Sequence, residues 1–194
     1  MVMIVGTGGF AAQLYSDCLD SGVEGIVGFV DNVTDKTTYY GLPVFKYEDI
    51  GPNALLINGV ATLDIRRKLV AELPNYTFQS LLLGNVSRFA KLGVATITVP
   101  TSTLMANATL GNHCILNFNT YVAHDCVVGD FCTLAPYAGI CGHATTGNNV
   151  SLGVNSTILP HVHVCDDVII GAAACVTKHI TEPGTYVGIP ARKI

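Results

Sequence analysis

The chain has 194 residues, of which 49% are apolar and only 12% charged, with a net charge of −4. That length can bury a real core in one large or two small domains, and the composition lies far from the disordered class. There is no basic run to suit a nucleic acid, no apolar run of the roughly 18 to 20 residues that span a bilayer, and no basic leader with a cleavage pattern at the start. The expectation is a cytoplasmic protein with no membrane span and no nucleic-acid partner. Charge falls to about half of the roughly 25% usual for globular chains. A surface so poor in charge is expected to be covered, most simply by further copies of the chain. The seven cysteines include no CxxC pair. They read as free thiols in a reducing compartment rather than a zinc ribbon.

The first half alternates short apolar runs with helical patterns. Residues 1–5 form an apolar run that ends in glycines. Residues 10–21 suit a helix with Ala11, Leu14, Tyr15, Cys18 and Leu19 on one face. Apolar runs return at 25–30, ending at Asp31, and at 54–57, ending at Asn58-Gly59. Residues 63–73 suit a second helix with Leu63, Arg67, Val70 and Ala71 aligned, stopped by Pro74. Strand, helix, strand, then strand and helix predicts a small parallel α/β sheet.

The second half follows a period of six. From Leu104 onward every sixth residue to Val176 is aliphatic, with Thr146 the one exception in thirteen. Four places after each stands a small or β-branched residue, from Ala108 to Ile180. Six matches neither a helix nor a simple alternating strand. It matches a short strand plus a corner, with one large and one small side chain turned inward each time, which is the hexad signature of a β-helix. At three hexads per coil, residues 104–181 make a little over four coils. Cys114, Cys126 and Cys132 fall in the small inward slots and read as core. Only five charged residues, Asp125, Asp130, Asp166, Asp167 and Lys178, lie in this stretch. Flat coil faces so free of charge suit packing in a homotrimer. The predicted organisation is an α/β domain over residues 1–85 and a β-helix with a C-terminal tail over 86–194.

All six histidines lie in the repeat half, and none takes an inward slot. Most read as ordinary surface residues. Zinc held between subunits, as in γ-class carbonic anhydrases, would need two histidines five apart. The spacings here include 11, 19 and 2 but not five, and no metal is expected.

His124-Asp125 stands apart. The segment Asn117-Phe118-Asn119-Thr120-Tyr121-Val122-Ala123-His124-Asp125-Cys126-Val127-Val128-Gly129-Asp130 resembles a motif of left-handed β-helix nucleotide-sugar acetyltransferases, the sialic-acid O-acetyltransferase-like family. The tail Tyr186-Val187-Gly188-Ile189-Pro190-Ala191-Arg192 and the opening Ile4-Val5-Gly6-Thr7-Gly8-Gly9-Phe10-Ala11 resemble the same group. Within it the pattern is nearest to enzymes that acetylate the 4-amino group of UDP-linked dideoxy sugars. The resemblance implies a Rossmann-like first domain that binds the nucleotide sugar. It implies acetyl-CoA as co-substrate in a groove between adjacent subunits.

Acetyl transfer from a thioester to an amine needs a base, and imidazole has the ordinary pKa nearest neutrality. His124 is the expected base. Asp125, or failing it Asp130, would orient the ring. The resemblance assigns the Gly142 N–H to the developing oxyanion. It also places Thr133 and His143 near the acceptor, Thr133 standing where relatives often carry a second histidine. His143 reads equally as a substrate contact or a plain corner residue. Gly153, Gly171, Ala172, Gly188 and Arg192 are the expected coenzyme contacts.

Gly6, Gly8 and Ala11 fit G-x-G-x-x-[GA] between strand and helix, a context in which backbone N–H groups can cradle a diphosphate. Gly6, Gly8, Gly9, Asp31, Asn58 and Gly59 are the expected contacts to the nucleotide sugar. Asp31 and Asn58 are equally suited to begin turns. About 90 residues are too few for a full dinucleotide fold, which disfavours NAD. Two other functions fit the same pattern: O-acetylation of a sugar or small-molecule hydroxyl, and a non-catalytic or zinc-binding trimeric scaffold.

Overall fold

The computed structural model describes all residues, 1–194. They form two compact units, Met1–Ser80 and Leu81–Ile194.

The first unit is a parallel sheet with two helices. Its elements are β1 (Val2–Val5), α1 (Gly9–Asp20), β2 (Ile26–Val30), β3 (Thr38–Tyr39), β4 (Leu42–Phe45), β5 (Leu55–Asn58), α2 (Leu63–Glu72) and β6 (Thr77–Phe78). The sheet order is β3-β4-β2-β1-β5-β6, parallel throughout except where β3 meets β4. Met3, Ile4 and Val5 of the central strand are all buried, as expected for a strand covered on both faces. Val5 pairs with both Val30 and Asn58, so the residues that follow all three strands emerge at one sheet edge. The strand order reverses at β1, and ligands of open α/β sheets bind at such a reversal.

Helix α1 buries the expected face except at Leu19, whereas α2 turns differently from the sequence expectation. In α1 the buried residues are Ala11, Leu14 and Cys18, spaced i, i+3, i+7, while Leu19 is exposed. Tyr15 sits at the edge of that face, against Phe29. In α2 the buried residues are Arg66 and Leu69, continued by Leu73 beyond the helix, rather than the row from Leu63 to Ala71. The cause is Arg66, whose Nη1 donates to the Ala61 carbonyl at 2.8 Å. A paired arginine can be buried, and polarity alone hides it from a hydrophobic pattern. The ribbon of β3 and β4, and β6 at the far edge, had no counterpart in the sequence expectation.

The second unit is a left-handed parallel β-helix. Its two-residue rungs stack on three faces. One face carries the Thr103–Leu104, Tyr121–Val122 and Gly139–Ile140 rungs, the next Thr109–Leu110, Val127–Val128 and Thr145–Thr146, and the third Ile115–Leu116, Thr133–Leu134 and Ser151–Leu152. Partners lie one coil of 18 residues apart. All thirteen large slots and all thirteen small ones from Leu104 to Ile180 are buried. Truncating one of the large residues, such as Leu134→Ala, would cost about 2 to 5 kcal/mol.

The solenoid is longer than the aliphatic pattern indicated. It starts at Leu81–Leu82, which pairs with Ile97–Thr98, so the division falls after residue 80 rather than 85. Nearly six coils are present instead of a little over four. The early rungs escaped notice because Thr98 fills a large slot. It is buried, and its hydroxyl is satisfied by the Gly84 N–H at 3.2 Å. Each corner places one residue in the left-handed region. These residues recur every six positions from Ala95 to Ala173, and Asn, Asp and His fill nine of the fourteen. Those types tolerate that conformation best. The tail strand Gly184–Val187 pairs with Val168–Ile170, and Arg192–Lys193 folds back on it.

Candidate active site

His124 and Asp125 form the corner after the Tyr121–Val122 rung. Asp125 has φ 60°, and that turn swings its carboxylate to the preceding ring. The distance from His124 Nδ1 to Asp125 Oδ2 is 2.8 Å. One coil earlier, Asn107 Nδ2 donates to Asp125 Oδ1 at 3.0 Å. One coil later, His143 Nε2 lies 3.9 Å from Asp125 Oδ2. A further coil on, His161 stacks on His143 with ring centroids 4.9 Å apart and planes within 4°. Asn107, Asp125, His143 and His161 thus form one column of left-handed corner residues.

Hydrogen bonds from His124 and then Asn107, with the neighbouring imidazoles, hold the Asp125 carboxyl below the usual carboxylate range. An ionised carboxylate only accepts. His124 therefore carries its hydrogen on Nδ1, and the lone pair on Nε2 is left for chemistry. The Gly142 Cα lies against that side of the ring. A Cβ there would come within 2.9 Å of both Cε1 and Nε2 of His124, so only glycine leaves the imidazole its place. The Gly142 N–H takes no part in the hydrogen bonds between coils.

Asp130, the alternative partner for His124, belongs to another corner. Its Oδ1 accepts from the Asn112 N–H at 2.7 Å, within a column that continues through Asn148 and Asp166. Geometry therefore selects Asp125. Thr133 points outward from the face of the Ser151–Leu152 rung, away from the His124 corner. Gly153 and Gly171 stack one coil apart beside the third corner, and the backbone N–H of Ala172 sits 2.6 Å from where a Gly153 Cβ would stand. The Gly188 carbonyl accepts from the Cys175 N–H at 3.0 Å, and Arg192 is exposed on the returning tail strand. Within one chain these residues do not share a corner with His124.

In the first unit, Gly6, Gly8, Gly9, Asp31 and Gly59 line a cavity of about 410 Å³, with Phe10, Val33, Val60 and Ile65 as its apolar wall. Side chains at Gly8 or Gly9 would meet nothing within 4 Å, so the backbone at the start of α1 is open there. Gly59 is fixed by packing instead, because its Cβ would stand 2.5 Å from the Val5 carbonyl oxygen. The Asp31 carboxylate is used by its own chain. Oδ2 accepts from the Thr7 N–H and hydroxyl at 2.9 and 2.8 Å, and Oδ1 from the N–H groups of Val33 and Thr34. Partial burial works to raise its pKa, but those four hydrogen bonds outweigh it and hold the carboxyl below its usual range. Asn58 is buried and accepts from the Val60 N–H at 3.1 Å. Both residues shape the turns around the cavity.

Two features lay outside the sequence reading. Lys36 Nζ donates to the Thr7 carbonyl at 3.4 Å and lies 4.3 Å from the Tyr39 ring centroid, which brings a cation beside the glycine loop. Only the unforeseen β3–β4 ribbon brings it there. His161 could have been found, since it follows Asp125 and His143 at the coil spacing of 18.

Residues 101–142 match the family model described as bacterial transferase hexapeptide (six repeats). The second unit is a hexapeptide-repeat solenoid. Its sequence is 39% identical over 70 residues to a probable UDP-3-O-acylglucosamine N-acyltransferase 2, mitochondrial, of Arabidopsis thaliana, covering 36% of this chain and 23% of that one. The chain thus spans about a quarter of the length of such curated relatives. Two solved structures share the fold over nearly the whole chain. PerB from Caulobacter crescentus, in complex with CoA and GDP-perosamine, is 24% identical with a TM-score of 0.89, covering 98% of this chain and 95% of that one. The acetyltransferase domain of PglB from Neisseria gonorrhoeae, in complex with acetyl coenzyme A, is 23% identical with a TM-score of 0.90, covering 100% and 98%. No helix is long and apolar enough to cross a membrane.

Proposed function

We propose that the chain moves the acetyl group of acetyl-CoA to the amino group, at C4, of a nucleotide-linked amino-dideoxy sugar. The observation that carries this reading is the His124 ring, tied through Nδ1 to Asp125 at 2.8 Å with Nε2 left free beside Gly142. The acceptor nitrogen attacks the thioester carbonyl and passes its proton to Nε2. The Asp125 carboxylate steadies the imidazolium, and the Gly142 N–H meets the oxyanion. Collapse breaks the C–S bond, and the imidazolium returns the proton to the leaving sulfur. The products are the sugar acetamide and free coenzyme A. The bound ligands of PerB, coenzyme A and GDP-perosamine, are the two substrate types this chemistry needs.

The nucleotide belongs to the Rossmann-like first unit. There the open backbone of Gly8 and Gly9 at the start of α1, with Lys36 alongside, suits a diphosphate. Gly6, Asp31, Asn58 and Gly59 hold the loops that shape this cavity. Gly153, Gly171, Ala172, Gly188 and Arg192 would contact the coenzyme. Their separation from the His124 corner within one chain favours a site completed by a neighbouring copy, hence a homotrimer. Exposed Val127 and Ile169 on the solenoid faces agree with that packing. Seven free cysteines agree with a cytoplasmic setting.

The test is His124→Ala, read by release of free coenzyme A thiol with amino-sugar and hydroxyl acceptors in parallel. The expected result is a loss of roughly 10² to 10⁴ in turnover with the fold and oligomer retained. Turnover near that of the parent would reject His124 as base, and acetylation of hydroxyl acceptors alone would replace N- by O-transfer.

A further inference from the structure

We propose that His124, Asp125 and His143 form a binding site for one divalent transition ion of the zinc type, and that a bound ion silences the corner instead of serving it. The three offer one ligand atom each, all within 4.8 Å of one another. Ligand atoms around tetrahedral zinc stand roughly 3.3 Å apart, given metal bonds of about 2.0 to 2.2 Å. The measured separations from Asp125 Oδ2, 2.8 Å to His124 Nδ1 and 3.9 Å to His143 Nε2, bracket that value. Small rotations of three exposed side chains close the difference.

The backbone is already set. Asp125 and His143 occupy equivalent left-handed corners one coil apart, and the His143 N–H donates to the His124 carbonyl at 3.2 Å. Two outer contacts orient the ligands. Asn107 holds Oδ1 of Asp125 and leaves Oδ2 to the ion, while the parallel His161 ring fixes the plane of His143. Such outer contacts are what tune metal sites. The fourth position faces solvent and takes water. Two imidazoles and a carboxylate suit zinc, cobalt or nickel better than magnesium or calcium.

Silencing follows from the tautomer. A metal on Nδ1 displaces the hydrogen shared with Asp125, and the neutral ring then carries its one hydrogen on Nε2. The nitrogen that would accept the substrate proton no longer has a lone pair. This consequence rests on the acetyl-transfer reading, whereas the binding does not.

The experiment titrates zinc alone into the reduced, chelator-treated full chain against a chromophoric chelator, with cobalt as a visible reporter of tetrahedral ligation. One ion per chain is expected in the parent. His143→Gln and Asp125→Asn should bind at least tenfold more weakly while melting like the parent. Equal binding in His143→Gln, or binding lost only in a Cys141→Ser control, overturns the site. Binding with no fall in coenzyme A release overturns the silencing. A chain inactive before any zinc is added counts against acetyl transfer and leaves the binding result standing.

Discussion

The imidazole of His124 occupies the space that any side chain at residue 142 would fill, with Cε1 and Nε2 both 2.9 Å from an ideal Cβ at Gly142. The two residues lie one coil apart at the same corner. Gly142 gives the imidazole its position, and in the proposed mechanism its N–H would also meet the oxyanion. Gly142→Ala is expected to push the ring aside while leaving the coil's hydrogen bonds intact. Displacement of a reacting group by about 1 Å can cost roughly 10²-fold in rate. The check is turnover alongside a thermal melt, and a rate within a few-fold of the parent would show that the ring does not depend on this glycine.

The Asp125 carboxyl is held below its ordinary value of 3.8, first by the His124 hydrogen bond and then by that from Asn107. Because the folded pKa is the lower one, the stabilisation is fully present above the ordinary value. It is lost as pH falls through the depressed folded value. Carbon-13 titration of the aspartate carboxyls should show Asp125 ionising below its exposed counterparts, and Asn107→Ala should move it back up. A midpoint unchanged by that substitution would remove Asn107 from the account.

Lys36 brings a positive charge to the glycine loop, poised over Tyr39 and against the Thr7 carbonyl. Lys36→Ala should raise KM for the nucleotide sugar about tenfold, equivalent to about 1.4 kcal/mol, with kcat little changed. KM for acetyl-CoA serves as the internal control. An equal rise in both would show a general disturbance of the fold.

Cys18 packs on the inner face of α1, and burial, followed by the nearby Asp17 charge, pushes its thiol up to about 11. Near pH 8 it stays protonated and shielded. As pH rises past the ordinary thiol value of 9.0 the unfolded chain ionises first, so this group withdraws stability there. A colorimetric thiol reagent on the native chain should leave Cys18, Cys114, Cys126 and Cys132, all buried, unreacted until denaturant is added. Rapid reaction of all seven thiols at native pH would contradict the packing.

The sequence by itself determined the solenoid, because every sixth and every small slot from Leu104 to Ile180 must face the same narrow interior. It also marked His124 and Gly142 through their resemblance to a family motif, and the fold then placed the two at one corner, a coil of 18 residues apart. It left the early coils unread, because Thr98 fills its slot with a polar side chain whose partner, Gly84, is visible only in three dimensions. It left the face of α2 misjudged, because Arg66 is buried only by virtue of a carbonyl supplied from the preceding loop. The sequence ranked Asp125 ahead of Asp130 by adjacency alone, and the contact itself belonged to the tertiary structure. Both are aspartates near His124 in the chain, but the left-handed turn at 125 returns its carboxylate to the ring, while residue 130 rounds the next corner into a ladder with Asn112, Asn148 and Asp166. Periodicity specifies which way a side chain points. Which groups then meet depends on the side chains that stand at each turn and across each coil, and the hexad pattern leaves those outward positions free to vary.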